Sequence, residues 1–262
     1  MATLALTAPP PRLDARGLIW TLVRTDFKVR YHRTWLGFLW ALLKPISLLL
    51  VLLTVFSSVF PGAPNFRLNL VLSLFLWDFF AESTKSGVIS LHQKGYLITK
   101  TRLPRWIVVV TSISNPLITL GVYSVTVLAI LCVAGRPPSL GGVLLFGVYL
   151  VHLCAIVIGI SLAASVLFLR WRDVNQIWEV ITSAGFFITP IVFPIGVLPE
   201  RYHFLLYCWP PTPIIMFSRA ALIDGAPATL RAHLCLAAMA FGILGAGILL
   251  YRRHAPRIAE HL

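Results

Sequence analysis

The chain has 262 residues, 58% of them hydrophobic and 12% charged, with 22 Lys and Arg against 9 Asp and Glu. A soluble domain carries about 25% charged residues, so this chain holds too few to solvate a globule of its size. Uncharged stretches such as 106–135 and 141–169 exceed the roughly 20 residues that cross a hydrocarbon core as helix, which excludes a soluble enzyme, a secreted disulfide scaffold and a disordered chain.

Taken in chain order, the opening residues up to Pro9-Pro10-Pro11 hold too short an apolar stretch for a signal peptide. Residues 18–33 place Ile19, Val23, Phe27 and Tyr31 at four-residue intervals, with Thr21, Arg24 and Lys28 on another face. That pattern predicts an amphipathic helix lying along the membrane interface, in which Asp26 and Arg30 can pair one turn apart. It reads either as a surface anchor or as a docking helix for a cytoplasmic partner.

Six spans are then predicted: 35–60, interrupted at Lys44-Pro45, then 68–91, 106–134, 142–169, 177–195 and 233–251. The expected fold class is an all-α membrane protein with six transmembrane helices, an N-terminal amphipathic interface helix, and short re-entrant helices between spans five and six. The expected domains are a cytoplasmic tail with the interface helix (1–34), the six-span transmembrane domain (35–252) and a short cytoplasmic tail (253–262). No remaining piece approaches the roughly 50 residues of a small soluble domain, so the energy source is expected on a separate chain.

A formal charge of +13 in a soluble chain would suggest nucleic acid. Sorted by loop, 17 of the 22 basic residues fall on the side of the termini. The other side holds Arg67, Arg136, Arg201, Arg219 and Arg231. Because basic loops stay inside, both termini are expected in the cytoplasm, and no nucleic-acid partner is expected. Trp20, Trp35, Trp40, Trp106, Trp171 and Trp178 fall near the same predicted cytoplasmic boundary, where indoles anchor helices.

Three segments carry candidate chemistry beyond the interface helix. In span two, Asp78 and Glu82 share a helix face, with Lys85 one turn on and Phe75, Trp77, Phe79 and Phe80 around them. Ionisable groups at membrane depth face a bundle interior or a cavity, and carboxylates beside aromatic rings suit sugar hydroxyls and pyranose faces. The alternative is a Glu82–Lys85 pair neutralised within the helix. The loop 92–105 sets Tyr96, Leu97 and Ile98 between Lys94, Lys100, Arg102 and Arg105. It reads as a short helix docking into a partner's groove or as a basic loop that only sets topology. Gly95 and Lys100 lack the second glycine and the preceding strand of a phosphate-binding loop. Between 199 and 227 two apolar pieces too short to span are separated by Pro210, Pro211 and Pro213. They are read as re-entrant helices or as an ordinary external hairpin.

No catalytic or metal site is expected. The seven His lack metal-ligand spacing, and His152 and His233 read as packing residues. Cys132, Cys154, Cys208 and Cys235 are dispersed without a CxxC pair. Ala238, Gly242 and Ala246 suggest a face for close helix packing in span six. No inverted repeat is visible, which argues against a secondary transporter.

The run Asp26-Phe27-Lys28-Val29-Arg30-Tyr31, then Thr34-x-Leu36-Gly37-x-Leu39-Trp40 and Lys44-Pro45, resembles the opening signature of ABC-transporter permeases that export polysaccharides and polyol phosphates. Leu97-Ile98-x-Lys100 with Pro104-Arg105, Arg172-Asp173-Val174, and Thr189-Pro190-Ile191 through Leu198-Pro199 are similar to later elements of that family. Two places depart from its pattern. No Asn stands before Leu97-Ile98-x-Lys100 where the family has one, and Pro210-Pro211-Thr212-Pro213 replaces an Asn-Pro.

The resemblance implies a half-transporter: a homodimeric channel in the bacterial inner membrane, bound by two copies of a separate ATPase that carries ATP and Mg, with no cofactor on this chain. It implies ATPase docking through Asp26, Lys28, Arg30, Tyr96, Leu97, Ile98 and Lys100. Trp77, Asp78, Phe79 and Glu82 would line a glycan channel, and Tyr202, Tyr207 and Trp209 would belong to an external gate. The implied cargo is an undecaprenyl-diphosphate-linked glycan. Arg33 and Lys44 then stand either at an entrance for its diphosphate or as ordinary positive-inside charges. Alternatives are a permease of the same kind for a drug or small lipid, and an integral-membrane glycosyl- or acyltransferase.

Overall fold

Apolar runs punctuated by Gly, Pro and capping hydroxyls favour helices, and helices are what this chain builds. The computed structural model describes residues 15–31, 35, 37–62, 64–100 and 104–255, with the side chains of 15, 16 and 98–100 also outside the described set. Among the described residues every regular element is helical. In order these are α1 (Ala15–Tyr31), α2 (Leu39–Val59), α3 (Phe66–Gln93), α4 (Gly95–Lys100), α5 (Arg105–Ser112) and α6 (Ser114–Val133). They continue with α7 (Leu140–Arg170), α8 (Val174–Ile188), α9 (His203–Cys208), α10 (Pro211–Arg219) and α11 (Leu230–His254). A π turn, Ala220–Asp224, extends α10.

Local chemistry fixes the ends. Gly135 adopts φ +70° after α6, and the amides of Gly135 and Arg136 donate to the Cys132 and Leu131 carbonyls at 3.1 and 3.0 Å. This paired arrangement closes a helix and needs a residue free to enter left-handed space. Ser139 then starts α7 by accepting from the Gly142 amide at 3.0 Å, and Thr229 does the same for α11 through Ala232.

Two predicted spans are modified by proline. The stretch expected as one helix over 106–134 breaks at Ile113 between α5 and α6, because Pro116 has no N–H to offer Ser112 and its ring crowds that turn. Span five, expected to reach residue 195, ends at Ile188. Pro190 holds Thr189 in extended backbone, φ −70° and ψ 133°.

Four stretches are long and apolar enough to cross a membrane: α2, α5–α6 taken together, α7 and α11. The remaining two predicted spans differ for physical reasons. Helix α3 has 28 residues but carries Arg67, Asp78, Glu82 and Lys85, and α8 has only 15 residues.

Helix α3 is the hub, packed against α2, α5, α6, α7, α8 and α10. From Leu70 to Phe80 every residue is buried except Asp78. In a bilayer, lipid is as apolar as Leu, so close packing rather than water exclusion must hold helices together. Helices α7 and α11 show it. A Cβ on Gly247 would collide with the carbonyl oxygen of Gly159, so the two backbones touch there. The packing face of α11 runs through Leu236, Ala240, Gly247 and Tyr251. The face expected to pack closely, Ala238, Gly242 and Ala246, is exposed instead. The small residues at Ala240 and Gly247 lie on a different stripe, and composition alone does not choose between stripes.

Among the described residues, three ion pairs tie the charged half of α3 and Lys94 just after it to their neighbours: Arg30–Glu82 and Lys94–Asp26 from α1, and Lys85–Glu179 from α8. Among the described residues, neither the Asp26–Arg30 pairing that the spacing allows nor the alternative Glu82–Lys85 pair forms. Each of these residues finds an oppositely charged partner on another helix. Helix α2 buries only Pro45 and Leu49, and α8 only Gly185. Both leave broad apolar faces uncovered, among them Leu43, Leu50 and Val55 on α2 and Val180 and Phe187 on α8.

Candidate functional site

Asp78 is the break in the buried surface of α3 because it faces a cavity of about 330 Å³. The α3 side of that cavity is Asp78, Phe79 and Glu82, residues at the spacing of one helix face. Helix α1 contributes Arg30 and Tyr31, α2 contributes Trp40, Ala41 and Lys44, and α6 contributes Pro116, Thr119 and Tyr123. Two cations, two carboxylates and four aromatic rings thus line one space.

Proline again explains the local geometry. Pro45 sits inside α2 and leaves the carbonyl of Ala41, four residues earlier, without its helical donor. The Tyr123 hydroxyl lies 3.3 Å from that oxygen and 3.2 Å from Asp78 Oδ2. A single phenolic proton serves both acceptors. The Tyr123 ring is stacked on Phe75 with centroids 4.2 Å apart, which fixes the hydroxyl. Arg30 donates to Glu82 across the cavity mouth. Burial lowers the affinity of its guanidinium for the proton, and the Glu82 hydrogen bond and charge more than compensate, so it stays above its ordinary pKa. Lys44 and Asp78 line the same space without forming an ion pair among the described residues.

Asp26 is engaged by Lys94 and sits half-buried, whereas Lys28 is exposed. Phe27 and Tyr31 pack on Phe38 with centroids 5.9 and 5.4 Å away. The apolar stripe of α1 is therefore turned inward, and Trp20 and Val29 face outward. Tyr96 is 68% exposed on α4 and Leu97 is half-buried. The side chains of Ile98 and Lys100, and all of Arg33, lie outside the described residues. Trp77 does not line the cavity. It packs on Phe80, Phe186 and Trp209 at 5.6, 5.9 and 6.5 Å. Trp209 joins the core through Trp77 and Phe80, Tyr207 lines a second cavity near the start of α3, and Tyr202 is exposed.

The chain matches the ABC-2 type transporter description over residues 17–223, which takes in α1 to α10. The chain belongs to the ABC-2 type transporter family. This ABC-2 chain is 26% identical over 211 residues to the O-antigen export system permease protein RfbA of Klebsiella pneumoniae, covering 79% of the chain and 81% of that protein. It is 28% identical over 191 residues to the RfbA permease of Myxococcus xanthus, covering 71% and 72%. It is 25% identical over 206 residues to the polysialic acid transport protein KpsM of Escherichia coli, covering 76% and 79%. ABC-2 membrane subunits of this kind are not enzymes, and their ATP hydrolysis sits on a separate subunit.

In this ABC-2 permease, the described residues hold no cluster of three or more His, Cys, Asp or Glu, and the four cysteines are free. What the cavity offers is recognition of a polar, hydroxylated or charged group, with donors from Arg30 and Lys44, acceptors from Asp78 and Glu82, and aromatic faces from Trp40 and Phe79. Three residues of this frame escaped sequence reasoning. Tyr123 has a legible signal, since Pro45 requires some donor for Ala41, but nothing in the sequence says which helix brings it. Glu179 has none before the α3–α8 packing is known. Arg219, counted among the charges of an external loop, is buried.

Proposed function

We propose that this permease is the channel-forming subunit of an ATP-driven exporter that moves a lipid-linked polysaccharide outward across the bacterial inner membrane. The observation that carries the reading is the cavity at Asp78. The bundle gathers two carboxylates, two cations and aromatic rings around one space, the chemistry that suits sugar hydroxyls and pyranose faces. The named relatives act on polysaccharides, O-antigen in one case and polysialic acid in the other.

In this reading α2, α3, α5–α6, α7, α8 and α11 cross the membrane. The 17-to-5 division of basic residues supports cytoplasmic termini. Helices α9 and α10 enter from the outer side as re-entrant elements, with Tyr202, Tyr207 and Trp209 at an external gate. Two copies meet through the uncovered apolar faces of α2 and α8, because one bundle of six helices is too narrow to enclose a sugar chain. Helices α1 and α4 form the docking surface for the ATPase, with Lys28 and Tyr96 outermost. Lys44, already in the cavity wall, meets the diphosphate of an undecaprenyl-linked glycan, and Arg33 precedes it in the chain.

Deletion of the gene in its host tests the reading. Surface polysaccharide should disappear, lipid-linked glycan should accumulate on the cytoplasmic side, and the intact gene should restore export. Unchanged surface glycan after deletion would refute it and favour a permease for a drug or small lipid.

A further inference from the structure

A second cavity, about 460 Å³, lies near the N-terminal end of α3. Asn69 in its wall is nine residues from Asp78, roughly 14 Å along the helix, so this space is distinct from the first. Its size falls within the range of small-molecule sites. Its polar wall is Arg219, Asp224, Asn69 and Tyr207, and its apolar wall includes Phe193 and Phe217.

Arg219 is only 6% exposed. Its Nε donates to Ser73 Oγ at 2.6 Å, Nη2 to the Ile191 carbonyl at 3.2 Å, and Nη1 reaches the Met216 thioether at 3.8 Å. A guanidinium has five N–H donors, and a thioether is a weak acceptor, so donor capacity remains. Among the described residues no carboxylate forms an ion pair with it. Asp224 lines the same cavity from an exposed position without closing on it. Asn69 borders the cavity, although its Oδ1 is itself buried without a hydrogen-bond partner.

We infer that this cavity is a subsite for one neutral sugar ring of the transported glycan. The inference rests on the reading of the chain as a polysaccharide exporter. The donor–acceptor set decides the ligand class. Hydroxyl groups both donate and accept, so a sugar ring can accept hydrogen bonds from Arg219 while donating to Asp224. Phe193, Phe217 and Tyr207 supply the apolar surface that covers the C–H face of such a ring. A phosphate fits poorly, because its charge meets that of Asp224 in the same wall.

The test uses the full chain in lipid nanodiscs prepared without sugar-based detergent, probed by saturation-transfer NMR. The probes are methyl glucoside, galactoside, mannoside and rhamnoside. At least one should bind through its ring C–H protons, and inorganic phosphate should not displace it. Asp224→Asn, at an exposed position, should weaken binding about tenfold, the size of one charge-assisted hydrogen bond, and should reduce surface glycan in the host. Arg219→Lys is less informative, since it also removes the Ser73 and Ile191 contacts. The subsite is wrong if no glycoside binds, if phosphate displaces it, or if Asp224→Asn binds and exports like the wild type while wild-type export proceeds. Loss of the reading itself is recognised separately, by a host whose surface glycan does not depend on the wild-type gene.

Discussion

The Tyr123 hydroxyl lies 3.3 Å from the carbonyl oxygen of Ala41, the acceptor that Pro45 strands in α2. The proline and the donor that replaces its missing N–H sit on different helices, α2 and α6, and the same hydroxyl reaches Asp78 on α3. One side chain thus joins three helices at the cavity wall.

Tyr123→Phe should keep the stacking on Phe75 and lose only the hydroxyl, lowering stability by about 1 kcal/mol. Pro45→Ala returns an N–H to Ala41, so the same Tyr123→Phe change should cost less in that background. A double-mutant cycle on melting temperatures in nanodiscs measures the coupling. Strict additivity would show that Tyr123 does not repair the Pro45 defect.

The Arg30–Glu82 pair is partly exposed, with side chains 40% and 31% accessible. Its effect on stability should therefore be small, under about 1 kcal/mol, and its effect on export large. Glu82→Gln should leave the melting temperature nearly unchanged and reduce surface glycan. The reciprocal pair Arg30→Glu with Glu82→Arg should recover export better than either single reversal. Equal defects in all three variants would argue that each residue acts independently of the pair.

The Lys94–Asp26 pair is less accessible, 15% and 22%, and fixes α1 against the end of α3. Lys94→Ala should loosen α1 and increase tryptic cleavage at Arg24 and Lys28, with cleavage elsewhere unchanged apart from the site lost at residue 94. Unaltered digestion would mean that Phe27 and Tyr31 packing alone positions α1.

Gly247→Ala and Gly242→Ala separate the two stripes of α11. A methyl at Gly247 meets the Gly159 carbonyl, and the overpacking should cost about 1–3 kcal/mol. A methyl at Gly242 enters open space and should be neutral or stabilising by up to about 1 kcal/mol, from improved helix propensity. The thermal melts of the two variants should therefore move in opposite directions or differ clearly in size.

Composition and apolar run length made the helices legible, because a bilayer demands internally satisfied backbone and this chain has few other segments. The ends shifted where proline acts at a distance, at Ile113 before Pro116 and at Ile188 before Pro190. The acidic face of α3 was also readable from spacing alone. Its partners were not, since Arg30, Tyr123 and Glu179 reach Glu82, Asp78 and Lys85 only after helices distant in sequence pack together. Arg219 shows the converse: counted only as a basic residue on the side opposite the termini, it is buried by three-dimensional packing against Ser73 and Ile191.

The most direct test of the account is export by the permease carrying Asp78→Ala and Glu82→Ala, measured as surface polysaccharide in the deletion host, with co-purification of the ATPase as the control for assembly. The account predicts a more than tenfold loss of surface glycan with the ATPase still bound. Wild-type export by the double variant would contradict it.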